Sequence, residues 1–207
     1  SAQVVGLDAR PISVEVDISQ GLHVFSIVGL ADKEIQESRQ RISAATKNIG
    51  ALAPHKKAQR VIVNLAPADI KKEGPAFDLP VALGYLLASE QIMFKPQGKL
   101  FLGELGLDGK IRKISGVLPI AIAARLSGFS TLVLPKGNGA EAALAQGLEV
   151  IEVEDLIETI EYLAGRKEIP ATVRNSADGG VFYEAGDLKD IRGQTLAKRA
   201  LEIAAAG

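Results

Sequence analysis

The stretch that decides the reading is Asn64-Leu65-Ala66-Pro67-Ala68-Asp69-Ile70-Lys71-Lys72-Glu73-Gly74-Pro75-Ala76-Phe77-Asp78-Leu79-Pro80. The β-branched run Arg60–Leu65 before it predicts a strand. A basic loop follows, then Gly74-Pro75, then a helix start that Asp78 is placed to cap, with Pro80 tolerated in the first turn. A helix entered in this way leaves unpaired N–H groups at its start, which suit an anion or an oxyanion. From this window alone, a tight loop with solvated lysines is the plainer reading. Val81, Ala82, Leu83, Leu86 and Leu87 make the helix to about Glu90 apolar nearly all round, so it is expected at the centre of the fold.

Working back from that stretch, Ile12, Val14, Val16 and Ile18 alternate with Ser13, Glu15 and Asp17, the period of a half-buried strand. Gln20-Gly21 is read as a turn into a second strand, Leu22–Val28, the two forming a hairpin. Asp32 is an N-cap for a helix that turns Ile35, Ile42, Ala45 and Ile49 to one side and Lys33, Glu37, Arg41 and Lys47 to solvent, ending at Gly50. Working forward, Leu100–Leu105 and Lys110–Ile114 flank Leu107-Asp108-Gly109, a hairpin signal. Ser115 or Gly116 opens the next helix, Thr131–Leu134 and Glu149–Val153 are strands around a short Ala-rich helix, and Asp155–Ala164 is amphipathic. Hairpins mixed with crossovers indicate an α+β two-layer domain over residues 1–166. Pro170, Asn175, Asp178, Gly179 and Gly180 mark a linker, 167–186, and residues 187–207 open another unit with a helix from Thr195. The chain starts Ser1-Ala2-Gln3 and ends inside a helical pattern, so it is read as a piece of a longer protein.

The 207 residues carry 24 Lys+Arg and 25 Asp+Glu, with no Cys and two His. Disulfides, thiolate nucleophiles and Cys-ligated zinc are excluded, and no metal site is expected from His23 and His55, each read as structural or loop histidine. A reducing, cytoplasmic setting is the expectation, and no run is long enough to span a bilayer. The net charge of −1 hides a split. Residues 1–140 hold 17 Lys+Arg and 12 Asp+Glu, whereas residues 141–207 hold 7 and 13. The basic share includes Lys56, Lys57, Arg60, Lys71 and Lys72 flanking one strand, and Lys110, Arg112 and Lys113 after the hairpin turn. If the two loops meet, they form a strip for phosphate contacts. Glu152, Glu154, Asp155, Glu158 and Glu161 form an acidic patch, either a solvated face or a mate for a basic neighbouring surface.

The Lys-Lys-Glu-Gly-Pro loop, the Gly103-Glu104-Leu105-Gly106-Leu107-Asp108-Gly109-Lys110 hairpin, Ala123-Ala124 and Leu132-Val133-Leu134-Pro135-Lys136 resemble the proteolytic domain of Lon-type proteases. That resemblance implies the ribosomal protein S5 domain 2-like fold and a Ser-Lys dyad. The Ser position falls on Ala76 and the Lys position near Ile120, so it implies a frame whose catalytic pair is lost. Ser115, with Lys113, is the only replacement in view, and Ser115 reads better as an N-cap. Val5–Ala9, Val14–Ile18, Phe25–Leu30, Glu37–Ile42 and Gly74-Pro75-Ala76-Phe77-Asp78-Leu79-Pro80 resemble the magnesium-chelatase-like AAA+ ATPases of the ComM/YifB type, over essentially the whole chain. In the tail, Ile191, Gly193 and Gln194 resemble the edge of an adenine pocket that precedes a phosphate-binding loop. This second resemblance implies a parent that uses ATP and Mg, self-associates into hexameric rings and moves along single-stranded or branched DNA in natural transformation. For this chain it implies a non-catalytic assembly and DNA-contacting domain with no cofactor of its own. The alternatives are an active Lon-like peptidase and a regulatory subunit of a metal chelatase.

Overall fold

The computed structural model describes residues 1–54, 56, 58–173, 188, 191 and 193–206. The first compact unit spans Ser1–Arg174 and the second Asn175–Gly207.

The first unit opens with a hairpin, β1 (Ala2–Val5) and β2 (Asp8–Pro11), that the sequence reading did not assign. Its signal was present: Gly6, at φ 66°, supplies the left-handed residue that a two-residue connection needs. β3 (Ser13–Gln20) and β4 (Val24–Val28) follow, then α1 (Lys33–Asn48) and β5 (Gln59–Ala66). The expected β3–β4 hairpin does not form. The sheet order is β3-β5-β4, with β3 antiparallel and β4 parallel to β5. The reason lies in β5, whose Val61, Val63 and Leu65 are fully buried. A strand with that inner face takes the centre, and the half-polar β3 takes an edge. Gly21 anchors the crossing by donating to the Ala58 carbonyl at 3.3 Å. His23 lies exposed in this connection rather than on a strand.

A short 3-10 turn, Pro75–Phe77, leads into α2 (Asp78–Ala88), buried along nearly its whole length as expected. β6 (Lys99–Phe101), β7 (Glu104–Leu105) and β8 (Ile111–Arg112) come next, then α3 (Val117–Leu126), β9 (Thr131–Pro135), α4 (Gly139–Ala142), β10 (Glu149–Val153) and α5 (Leu156–Leu163). The hairpin about Leu107–Gly109 forms, pairing Leu105 with Ile111. The segment before it divides at Leu102-Gly103, because β6 pairs instead with β9 in a parallel sheet ordered β10-β9-β6. The architecture is α+β. One apolar cluster joins α1, α2 and the β3-β5-β4 sheet, and a second joins α3 to the inner residues of β6, β9 and β10.

Asp32 caps α1 as expected, accepting the Ile35 N–H at 2.8 Å. Asp155, expected only as the first residue of its helix, caps α5 by accepting the Glu158 N–H at 2.8 Å. Two other expected caps do not form. Asp78 is the first residue of α2, not its cap, and Gly116, not Ser115, precedes α3. Among the described residues of the first unit, 167–173 lie back on it: Thr172 donates its N–H to the Val150 carbonyl at 2.8 Å, and Lys167 pairs with Glu158 at 2.7 Å. The composition assigns these residues to the linker, whose remainder, 174–186, lies outside the described residues. In the second unit, α6 (Thr195–Ala206) forms as the periodicity predicts. No helix among the described residues is long and apolar enough to cross a membrane.

Candidate nucleic-acid interface

Ala76 and Ile120 both pack into the second apolar cluster. The Ala76 carbonyl accepts the Gly103 N–H at 3.0 Å, and the Gly103 carbonyl accepts the Leu79 N–H at 3.0 Å. This clamp holds the start of α2 against β7. Gly74 feeds the turn at φ 84°, and its N–H is held by Asp32 Oδ2 at 3.1 Å. Ala76 is half-buried against the second apolar cluster, which contains Ile120 at 3% exposure with Val117 and Ala121. The two positions thus face the same cluster, with a methyl and a sec-butyl group where a hydroxyl and an amine would be needed for nucleophilic chemistry. Ser115 is exposed. Lys113 lies across Gly137, where an added Cβ would stand 2.1 Å from the lysine Cε.

The charged residue that the structure buries here is Asp78. Arg41 donates to it from Nε at 2.6 Å and from a terminal nitrogen at 3.0 Å, and the Leu105 N–H donates at 3.1 Å. The Asp78 side chain is fully buried and that of Arg41 is 21% exposed. Burial holds the Asp78 carboxyl above its ordinary range; the opposing pulls of Arg41 and the Leu105 N–H reduce the rise without cancelling it. Arg41 was expected on the solvent face of its helix, and Asp78 at a cap. The pair instead ties α1 to α2 and to β7. Its only sequence signal was an Asp beside an otherwise apolar helix.

The eight cations read as phosphate contacts do not share one surface. Lys57 lies outside the described residues, as does His55. Lys72 is fully buried, its ammonium donating to the Pro67 carbonyl. Its backbone explains why: its N–H donates to the Leu30 carbonyl and its carbonyl accepts the Asp32 N–H, both at 3.1 Å. That two-sided bridge fixes the residue inward while Lys71 points out. Lys71 pairs with Glu73 at 2.5 Å and Arg112 with Glu104 at 3.0 Å. Lys56, Arg60, Lys110 and Lys113 are exposed, with no ion pair among the described residues.

Nor do the two loops meet. The Lys71–Lys72 loop is stitched to the residues that enter α1. The hairpin tip sits at the other end of that helix, where Asn48 donates to the Leu107 carbonyl at 2.6 Å. The 16 residues of α1 between them span about 24 Å. Arg60 lies at the beginning of β5 and Lys71 beyond its end, separated by about 26 Å over eight strand residues. Lys71 is therefore set apart from both the hairpin tip and Arg60.

The acidic patch is neutralised within the chain. Glu152 accepts the N–H groups of Gly137 at 2.5 Å and Gly139 at 2.9 Å and the Thr172 hydroxyl at 2.9 Å. Burial would raise its pKa, but these donors and nearby Lys136 bring it below the ordinary value. Glu154 pairs with Lys136, Glu158 with Lys167 and Glu161 with Arg166. The acidic residues are thus paired locally, and the pairs with Lys136 and Arg166 lie exposed.

In the second unit, Ile191 is exposed and its carbonyl accepts the Lys198 ammonium. Gly193 and Gln194 are both left-handed, at φ 70° and 53°, and Gln194 accepts the Lys198 N–H at 3.0 Å as α6 begins. Among the described residues, no group of three or more His, Cys, Asp or Glu is placed to hold a metal ion.

The unit is of the α+β class, and comparison with known proteins gives the family. Residues 14–138 match the family described as subunit ChlI of Mg-chelatase, and the chain belongs to it. It is 37% identical over 207 residues to the competence protein ComM of Haemophilus influenzae, covering 98% of this chain and 40% of that protein. It is 37% identical over 204 residues to YifB of Escherichia coli, covering 98% and 39%. The DNA repair protein RadA of Streptococcus pyogenes is 29% identical over 156 residues, 74% of this chain and 33% of its own. The chain thus spans about two fifths of the length of the ComM and YifB relatives.

Proposed function

We propose that this chain is a non-catalytic assembly and DNA-contacting domain of a magnesium-chelatase-like AAA+ ATPase. Its fold is of the ribosomal protein S5 domain 2-like type, without a working Ser-Lys dyad. The parent is a hexameric motor in the cytoplasm that uses ATP and Mg to move along DNA, as in branch migration during natural transformation. The observation that carries this reading is the kinship over 98% of the chain with a competence protein, joined to the apolar pair at Ala76 and Ile120. Ile191, Gly193 and Gln194 would border the adenine of ATP in the parent. DNA contact falls to Lys56, Arg60, Lys110 and Lys113, with Lys71 and Arg112 exchanging carboxylate partners for phosphates.

The test is anisotropy with labelled single-stranded and duplex DNA. Six phosphate contacts give a log–log salt slope of about −5.4 for duplex, a fall of about 10³-fold between 50 and 200 mM salt. Reversing Lys56, Arg60, Lys110 and Lys113 to Glu is expected to abolish binding, whereas Lys72→Met leaves it unchanged because that ammonium is not at the surface. Undiminished affinity in the fourfold variant would falsify the electrostatic reading. The family description favours a chelatase-subunit reading as second; calorimetry with magnesium, with and without nucleotide, separates the two.

A further inference from the structure

β3 is an edge strand of eight residues, paired on one side only. In an antiparallel pair, alternate residues turn both backbone groups away from the partner, so four residues of β3 present N–H and C=O outward. Among the described residues no backbone bond engages that outer edge. The opposite edge of the same sheet is treated differently. On β4 the carbonyls of Phe25 and Ile27 accept Arg39 at 3.2 Å and Gln36 at 2.9 Å, both from α1. One edge is covered by side chains, and the other is uncovered, with only the charges of Glu15 and Asp17 to discriminate what pairs with it.

Beside the first half of β3 lies an apolar groove of about 710 Å³, lined by Val14, Leu83, Gly84, Leu87, Phe94 and Phe101 among others. The other face of β3 carries Ser13, Glu15, Asp17 and Ser19, all exposed. Glu15 accepts an amide hydrogen bond from Asn64 at 2.9 Å, and no cation pairs with either carboxylate among the described residues. The geometry points to β3 as a docking edge for an extended segment of another polypeptide, apolar at alternate positions and basic at those between. Strand addition supplies the backbone bonds. The period of two then sends one set of side chains into the groove and the other set beside Glu15 and Asp17. A second copy of β3 is the wrong occupant, because antiparallel self-pairing sets these carboxylates against their own kind. This assignment does not depend on the DNA reading.

The experiment uses the full chain and a fluorescein-labelled ten-residue peptide of alternating Val and Lys. Its controls are a Val/Glu twin and a version with Pro at alternate positions, which cannot extend a sheet. Saturable binding of the Val/Lys peptide is expected, with at least tenfold weaker binding of both controls. Hydrogen exchange is expected to slow at residues 13–19 when that peptide is bound. Glu15→Lys with Asp17→Lys, a surface change, is expected to reverse the preference toward the Val/Glu peptide, and Leu87→Glu to weaken the Val/Lys peptide through the groove. Equal binding of the Val/Lys and Val/Glu peptides, an unaltered preference in the Lys variant, unslowed exchange at 13–19, or self-association of the chain through β3 each overturns the assignment.

Discussion

Replacing Arg41 by Met keeps the apolar stem of the side chain and deletes the guanidinium that serves Asp78. Asp78 then retains one of its three donors, the Leu105 N–H. Removing one member of a buried ion pair costs about 3–5 kcal/mol because the remaining charge is left uncompensated. The Arg41 head reaches water in part, so the low end applies, about 3 kcal/mol. With an m-value of about 2 kcal/mol/M in urea, the midpoint falls by about 1.5 M. Far-ultraviolet circular dichroism is the suitable probe, since the chain has no Trp. The pH dependence adds a second check. A carboxyl held above its ordinary pKa in the folded state stabilises the fold at acid pH, and that contribution is lost as pH rises through the raised value. Without Arg41 the pKa rises further, so the penalty in Arg41→Met grows between about pH 4 and pH 7. Asp78→Asn removes the buried charge and keeps an acceptor, and costs less. A midpoint shift under about 0.25 M, the size of an ordinary surface substitution, or a penalty equal at both pH values, refutes the reasoning.

Rebuilding the dyad is expected to fail at the lysine. Ala76→Ser costs under about 1 kcal/mol at a half-buried site, while Ile120→Lys puts an ammonium among apolar neighbours and lowers stability by more than about 3 kcal/mol; thermal melts of the two variants check this. Gly29→Ala is expected to destabilise by about 3 kcal/mol or more, since Gly29 has φ 102° and an added Cβ would stand 2.2 Å from the Leu65 carbonyl oxygen; a melting point within error of the parent would count against it. Glu152→Gln removes a carboxylate whose folded pKa is depressed, a contribution present above its ordinary value and lost as pH falls through the lowered one. The variant's urea midpoint therefore changes less on acidification than that of the unmodified chain, and parallel acid profiles would contradict the assignment.

What the sequence showed and what it hid divide by distance along the chain. The Asp32 cap acts on an N–H group three residues away, and it was legible. So were the central α2 helix and the turn at Leu107–Gly109. The β3–β4 pairing was misjudged because proximity in sequence stood in for the deeper burial of β5, some thirty residues further on. Asp78 looked like a cap because caps are local, while its partner Arg41 lies 37 residues back. Lys71 and Lys72 read alike as a solvated pair, but the bridge to Leu30 and Asp32 sends one outward and one inward. The donors to Glu152 were not legible, because the N–H groups of Gly137 and Gly139 are not visible as charge.

The order β3-β5-β4 also bears on synthesis. The middle strand is the last of the three to be made, about 38 residues after β4 is complete. At translation rates of roughly 5–20 residues per second, the two outer strands wait about 2–8 s for their common neighbour. During that interval both strands lack the neighbour that joins them, and each presents open hydrogen-bonding edges to other chains. The polar alternation of Ser13, Glu15, Asp17 and Ser19 on β3 then acts before the fold exists, keeping the nascent segment apart from its like until Gln59–Ala66 arrives to separate and join the pair.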